Sequence, residues 1–313
     1  MNGSATFRFG HEVEAPQQDL LGPLRGFVGA APADGGVASR TWSGPGFNML
    51  WRPNHGQSGK KPYFLQLMFI TETFVFTEIA GAIANRGSVQ DDIAIGGVKY
   101  SQQSLDTFDG SGQHDEGGHW LNVPATKNPT APSSVVRIGS VPHGVGFVLQ
   151  GVPEEQTPPV IPNLSISPFP IGLPGNQLQL PEEDLGWPST SRTRLERVAG
   201  LDQDHLDNPS LFLSDALAGK TILDATMMEV VPPGPDDALV GGGISNIAFL
   251  TGTGSPPLGG PNAFTSYVES TFWIERIKAP TEGNDFDQLQ YYQRVLLNFM
   301  GMSFPHITVA TLR

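Results

Sequence analysis

The 313-residue chain has no cysteine. That absence excludes disulfide bonds, thiolate nucleophiles, Cys-ligated zinc, iron–sulfur clusters and covalent c-type haem attachment, because each needs the sulfur. Charge is scarce as well: 16% of residues are Asp, Glu, Lys or Arg, against roughly 25% in an average soluble domain. What charge there is leans acidic, to a formal net −13. Such a surface repels phosphate backbones, so no nucleic-acid partner is expected. Long apolar runs are missing too. The best stretch, Phe64 to Ile70, is interrupted by Gln66 and falls far short of the roughly eighteen residues that cross a bilayer. The opening residues, Met1 to Pro16, hold no apolar core of signal-peptide length. A soluble, cytoplasmic protein without a membrane span is therefore the expectation. A P-loop, a dinucleotide-type glycine fingerprint and a Gly-x-Ser-x-Gly elbow are likewise absent.

Glycine (38) and proline (28) are abundant. Both break helices, and they are spread along the whole chain, which argues against bundles, coiled coils and helical arrays. Aromatic and aliphatic residues recur throughout, so the chain is not of the disordered kind. Short β-rich segments bounded by turn residues remain: Tyr63–Ile79, Gly97–Ser104, Trp120–Pro124, Ser134–Val141 and Gly146–Gly151. Ser39 to Trp51 reads as two extended pieces around a Gly44-Pro45-Gly46 turn. Proline dominates from Val152 to Pro188, as in an extended excursion over a surface. Helical signals follow, from Ser189 or Thr190 to Val198 and from Asn208-Pro209 to a stop at Gly219. Gly241-Gly242-Gly243 reads as a loop. Thr265–Ile277, Gln288–Phe299 and Phe304–Leu312 read as three successive strands, paired antiparallel because their connections are short. With no internal repeat, a propeller is disfavoured. One mainly β domain, residues 1–313, is expected, an antiparallel barrel ahead of a sandwich, with residues 152–260 as a Pro-rich, partly helical insertion.

Histidine is the side chain best suited to ligation or to acid–base work near neutral pH. His11, His55 and His205 have polar neighbours and read as solvent-facing. His114 and His119 are five apart with Gly117-Gly118 between them, so no helix presents both to a metal. A loop that gathered His114, Asp115, Glu116 and His119 around a cation is the remaining metal reading. His143 sits in a tight turn, Val141-Pro-His-Gly144. His306 opens the last strand and shares a face with Thr308, Ala310 and Leu312. If that face lines an interior, its imidazole enters an apolar cavity; the plainer reading is a core histidine satisfied by a backbone carbonyl.

The string Arg40-Thr-Trp-Ser-Gly-Pro-Gly-Phe47 resembles the Gly-x-Trp-x-Gly-x-Gly signature of nitrobindin-type haem-binding barrels, with Arg40 in place of the first glycine. Gly46–Pro53, Trp120–Thr126 and Ser140–Gly144 are similar to strings in bacterial proteins described as haem-binding. The resemblance implies a compact antiparallel barrel of the calycin kind, related to fatty-acid-binding proteins and lipocalins. It further implies a single axial histidine from the end of the chain, where this sequence has His306. This chain is longer than is usual for that family, with the excess near residues 152–260.

A b-type haem (heme b) needs an apolar slot, one strong axial ligand and polar or basic groups near its propionates. His306 is the metal-ligand candidate. Trp42, Phe47, Met49 and Trp51 are candidate walls, with Phe69, Phe74, Phe272 and Phe299, and Arg52 is the first candidate for the propionates, ahead of Arg276 and Arg294. Histidine ligation suits peroxide or nitrogen-oxide chemistry. The rival expectation keeps the barrel without iron: His114, Glu116 and His143 at the mouth perform acid–base chemistry on an apolar metabolite, as an isomerase, dehydratase or cyclase does. Glu72, Glu269 and Glu275 join them wherever they point inward. A lipocalin-like carrier of a small hydrophobic ligand is the third reading. Oligomeric state is open.

Overall fold

The computed structural model describes residues 19–55, 62–178, 202–234, 239–252, 262–280 and 283–313. Its strands are β1 (Ser39–Pro53), β2 (Tyr63–Glu78), β3 (Ile83–Asn85), β4 (Ile93–Asp106), β5 (Gly112–Val123), β6 (Thr126–Lys127), β7 (Thr130–Ala131) and β8 (Ser134–Val141). They continue with β9 (Val145–Gly151), β10 (Glu154–Glu155), β11 (Phe169–Pro170), β12 (Ile222–Val230), β13 (Gly243–Asn246), β14 (Phe264–Ile277), β15 (Phe286–Phe299) and β16 (Met302–Leu312). Helices among the described residues are short: Arg25–Val28, Gln203–Asp207, Leu211–Leu217 and Ala248–Thr251.

One antiparallel sheet runs in the order β10-β12-β14-β15-β16-β1-β2-β4-β5-β8-β9-β13, with β3 on β4 and β11 on β16. The mainly β, antiparallel expectation holds, and the three C-terminal strands fall where the sequence placed them. The sheet is not closed into a barrel. Strands β9 and β12 meet in a single isolated bridge, Gln150 to Val231, with one backbone hydrogen bond each way (2.9 and 3.0 Å). Pro232 and Pro233, next along that register, have no N–H to extend a ladder. On the other side a Cβ at Gly151 would lie 1.7 Å from the backbone oxygen of Glu229, so only glycine permits the approach.

Glycine also explains a difference in β1. The Gly44-Pro45-Gly46 turn does not form; residues 39–53 are one strand, paired throughout with β2. Gly44 is required by crowding, because a Cβ there would sit 2.3 Å from the Thr311 carbonyl oxygen of β16. Residues 152–260 contribute more to the sheet than an excursion does: β12 pairs with β14 from Ile222 to Val230, and β13 pairs with β9. Of the two expected helices, that after Asn208-Pro209 forms as Leu211–Leu217, and Gly219 beyond it has φ +73°. The Ser189–Val198 expectation and His11 lie outside the described residues.

Strand alternation divides the apolar residues between two cores. The inner face gathers Trp42, Phe74, Phe76, Trp120, Phe272, Tyr291, Ala310 and Leu312, capped by Phe27 and Val28 of the first helix. The outer face gathers Phe47, Met49, Trp51, Leu65, Leu67, Trp273, Ile307 and Val309. Leu164 and Ile166 of the Pro-rich segment and Leu213 of the Leu211–Leu217 helix cover it. The middle strands are thus clothed on both sides, as the apolar residues on both faces of Phe64–Phe76 suggested.

Candidate functional site

The inner face does not fill with side chains to its far end. Beyond the aromatic cluster lies a cavity of about 570 Å³, within the range of pockets that hold small molecules. Alternate residues of β1 and β16 build one wall: Asn48, Leu50 and Arg52 from β1, with His306 and Thr308 from β16. Met68, Val145, Phe147, Val268, Val295 and Leu297 make it largely apolar. Ile247, Phe249 and Leu250, around the Ala248–Thr251 helix, flank it. Phe249 is 69% exposed, so this side of the site also faces solvent.

The structure brings together three histidines that lie far apart in sequence: His114 from β5, His143 from the β8–β9 turn and His306 from β16 all line this cavity. The His306 Nε2 lies 2.8 Å from Asn48 Oδ1 and donates to it, which leaves the lone pair on Nδ1. Burial pushes His306 down to about 3, and His114, His143 and Arg52 nearby act in the same direction. Its ring is therefore neutral at physiological pH. His143 is lowered by burial and by the same His114 and Arg52 charges. Arg52 itself donates to Gln66 (2.8 Å) and has no carboxylate partner among the described residues.

Under His114 lies a fully buried ion pair. Glu116 Oε2 is 3.3 Å from His114 Nε2, and Glu116 Oε1 receives Arg137 Nη2 at 2.5 Å together with the Tyr100 hydroxyl. Arg137 Nη1 donates to Ser270 (2.6 Å) and Gln293 (2.7 Å), and the guanidinium lies 5.1 to 5.8 Å from the rings of Tyr100, Trp120, Phe147 and Phe272. Burial alone would raise Glu116, but the Arg137 charge, the His114 hydrogen bond and the Tyr100 hydroxyl outweigh it and hold the carboxyl at about 2. Glu72, also on the inner face, has no such cation beside it, and burial pushes it up to about 7.

Alternation decides the fate of the other sequence candidates. Phe47 and Met49 point to the outer core and do not line the cavity. Trp51 borders the cavity, but its indole belongs to the outer core, where Nε1 donates to the Ile166 carbonyl at 2.8 Å. Trp42 faces inward yet sits in the aromatic floor, bonded to the Phe27 carbonyl (2.8 Å). A run of adjacent residues cannot all line one wall of a strand. His119 and Asp115 are on the opposite face of β5 from His114 and Glu116, so the cation loop does not form; β5 runs unbroken through both glycines. No group of three or more His, Cys, Asp or Glu side chains among the described residues is arranged to hold a metal ion. Glu72 points inward, whereas Glu269 and Glu275 sit on the outer face, with Arg294 and Gln288 as their partners. His205, expected in solvent, is 8% exposed, its ring nitrogens 2.7 Å from Asp202 and 2.9 Å from Asp215.

Fold and site together define an antiparallel β-sheet protein with an internal, mostly apolar, ligand-sized cavity bearing imidazoles. Among the described residues no helix is long and apolar enough to cross a membrane. No family model and no curated protein matches the chain. Among solved structures, the crystal structure of Rv2717c from M. tuberculosis is similar to 95% of this chain and 98% of its own, at 12% identity and a TM-score of 0.41. So distant a likeness carries no argument about function.

Proposed function

We propose that the cavity binds a small, largely apolar ligand, with b-type haem the first candidate and His306 its axial ligand. The observation that supports this reading is a neutral imidazole on the wall of a cavity of about 570 Å³ whose lining is mostly apolar. A neutral ring is the state a metal ligand needs, and Asn48 fixes its orientation as outer partners of ligating histidines do. In the observed rotamer Nδ1 carries the lone pair; ligation through Nε2 requires Asn48 to release the ring. Arg52, without a carboxylate partner among the described residues, suits the propionates. Haem bound there would supply histidine-ligated iron for peroxide or nitrogen-oxide chemistry. The finer fold assignment, a calycin-like barrel, belongs to the same proposal. Its support is the approach of β9 to β12 that curls the sheet around this hollow.

Titration with hemin tests the reading. A saturable Soret band is expected, lost or strongly weakened in His306→Ala. A protein that takes up no hemin, or a band unchanged in that variant, overturns the haem assignment. One observation favours a second reading: His114 is held by an ionised carboxylate, which is the way a general base is oriented. On that reading the protein is an iron-free enzyme, with His114 and His143 working on an apolar metabolite and Glu116 orienting His114.

A further inference from the structure

We propose that the cavity takes its guest head first: an apolar molecule whose neutral head both donates and accepts hydrogen bonds, as an alcohol does, docks on a polar platform of Asn48, Gln102 and Thr308 at the inner end. Four neighbouring strands change character at the same level. Phe272, Tyr291 and Ala310 belong to the packed aromatic floor, and Val268, Val295 and Leu50 line the cavity further out. Between them runs a polar rung. Ser270 pairs with Gln293 across β14 and β15, Gln293 with Thr308 across β15 and β16, and Thr308 with Asn48 across β16 and β1. Directly opposed side chains on adjacent strands are within contact range. Gln102 of β4 joins the rung at this level, its Nε2 donating to the hydroxyl of Tyr291 at 3.1 Å, and with Gln293, Thr308 and Asn48 it lines the cavity.

Part of this platform is satisfied by the protein itself. Arg137 Nη1 donates to Ser270 Oγ (2.6 Å) and Gln293 Oε1 (2.7 Å). The rest is unpaired. Gln102 is 2% exposed, and its Oε1 has no hydrogen-bond partner. Asn48 gives its Oδ1 to the His306 ring, and its Nδ2 donates to no group among the described residues. The hydroxyl of Thr308, half-buried on the cavity wall, has no partner among the described residues either. Buried amides and hydroxyls are nearly always paired, and leaving them bare is costly. The set therefore asks for a head that donates to Gln102 and accepts from Asn48, with Thr308 able to do either.

A carboxylate head finds no unpaired cation at this level. Arg137 is matched by Glu116, the His114 Nε2 lies 3.3 Å from the same carboxylate, and the His306 ring is neutral. Arg52 stands four residues beyond Asn48 on β1, about 13 Å along an extended strand, on the side away from the aromatic floor. The apolar body of the guest would lie against Leu50, Val268, Val295 and Leu297. The proposal rests on the reading of this cavity as a site for a small, largely apolar ligand, and not on iron.

Calorimetric titration at neutral pH with three probes of matched length tests it: 1-octanol, its isomer heptyl methyl ether, and octanoate. The alcohol should bind about tenfold more tightly than the ether, which accepts a hydrogen bond but has none to donate to Gln102. It should also bind more tightly than octanoate, whose charge would be buried unpaired. Gln102→Leu should shrink the preference for alcohol over ether to about threefold or less, by weakening the alcohol alone. Thr308→Val should weaken the alcohol more than the ether. An ether bound as tightly as the alcohol, octanoate bound more tightly than both, or a preference unchanged in either variant overturns the proposal and leaves the cavity a ligand site. Binding of none of the three probes overturns it together with that reading. If Gln102→Leu does not fold, the wild type and Thr308→Val decide the matter between them.

Discussion

Replacing Arg137 by methionine keeps the length of the side chain and removes its charge from a fully buried site. Arg137 and Glu116 are both without exposed side-chain surface. In the variant, Glu116 keeps its His114, Tyr100 and Gln293 contacts but loses its only strong cation. Holding this carboxyl at about 2 instead of its ordinary 4.5 corresponds to roughly 3 kcal/mol, at about 1.4 kcal/mol per tenfold change. Removing one partner of a buried ion pair costs about 3–5 kcal/mol in general, so the two routes agree. Arg137→Met is therefore expected to lose about 3 kcal/mol in urea unfolding at neutral pH. Glu116→Gln in the same chain should restore a large part of it, because the orphaned charge goes. The pH dependence gives a second measure. A carboxyl lowered in the folded state stabilises above its unfolded pKa of about 4.3 and loses that contribution as pH falls through the folded value near 2. Wild-type stability should thus decline between about pH 5 and about pH 2 by more than that of Glu116→Gln. A loss below about 1 kcal/mol in Arg137→Met, or no recovery in the double variant, would refute the assignment of Arg137 as the group that holds Glu116 ionised.

Gly44→Ala should lower stability by about 1–3 kcal/mol, the usual cost of overpacking. Its Cβ would meet the Thr311 carbonyl oxygen at 2.3 Å, and thermal unfolding measures the effect. His306 should remain neutral in nitrogen-15 spectra down to about pH 4, since burial holds it near 3. An unfolded histidine takes its proton near pH 6.5, so this group's stabilisation is present above that pH and is lost as pH falls toward 3. His306→Leu should flatten that part of the stability profile. His205, raised by its bonds to Asp202 and Asp215 against the opposing effect of burial, has the reverse sign. Its contribution is full below about pH 6.5 and is lost as pH rises through the higher folded value. Amide protection factors in the Leu211–Leu217 helix, from which the intrinsic rise of exchange with pH is divided out, should fall over that rise in the wild type and stay level in His205→Gln.

Much of the architecture is legible from residue order because strands write their two faces as alternate letters. The set His306, Thr308, Ala310 and Leu312 could be assigned to one face before any coordinates, and it does share the inner one. Phe299, a candidate wall, joins the outer core instead. Strand β12 escaped notice because Ile222-Leu-Asp-Ala-Thr-Met-Met-Glu-Val230 is poor in β-branched and aromatic residues; it is held by pairing with β14 and by burial of Met228 and Val230. The site was legible in its histidines and not in its supports. Arg137 reads as an ordinary surface arginine in Val135-Val136-Arg137-Ile138. Only its inward parity with Val135 hints at burial, and its partner is 21 residues earlier on another strand. Asn48 is hidden in the same way, 258 positions from the ring it bonds. Such pairings belong to sheet register, which long-range packing sets and no local pattern records.

The isolated bridge between Gln150 and Val231 leaves the wrapped sheet with a seam. Between the long strands, parting two neighbours would rupture a whole row of backbone bonds; here one reciprocal pair holds them together. Opening of the sheet should therefore concentrate along this line, with the amides of Gln150 and Val231 trading hydrogen with solvent ahead of those in β1, β2 and β14 to β16.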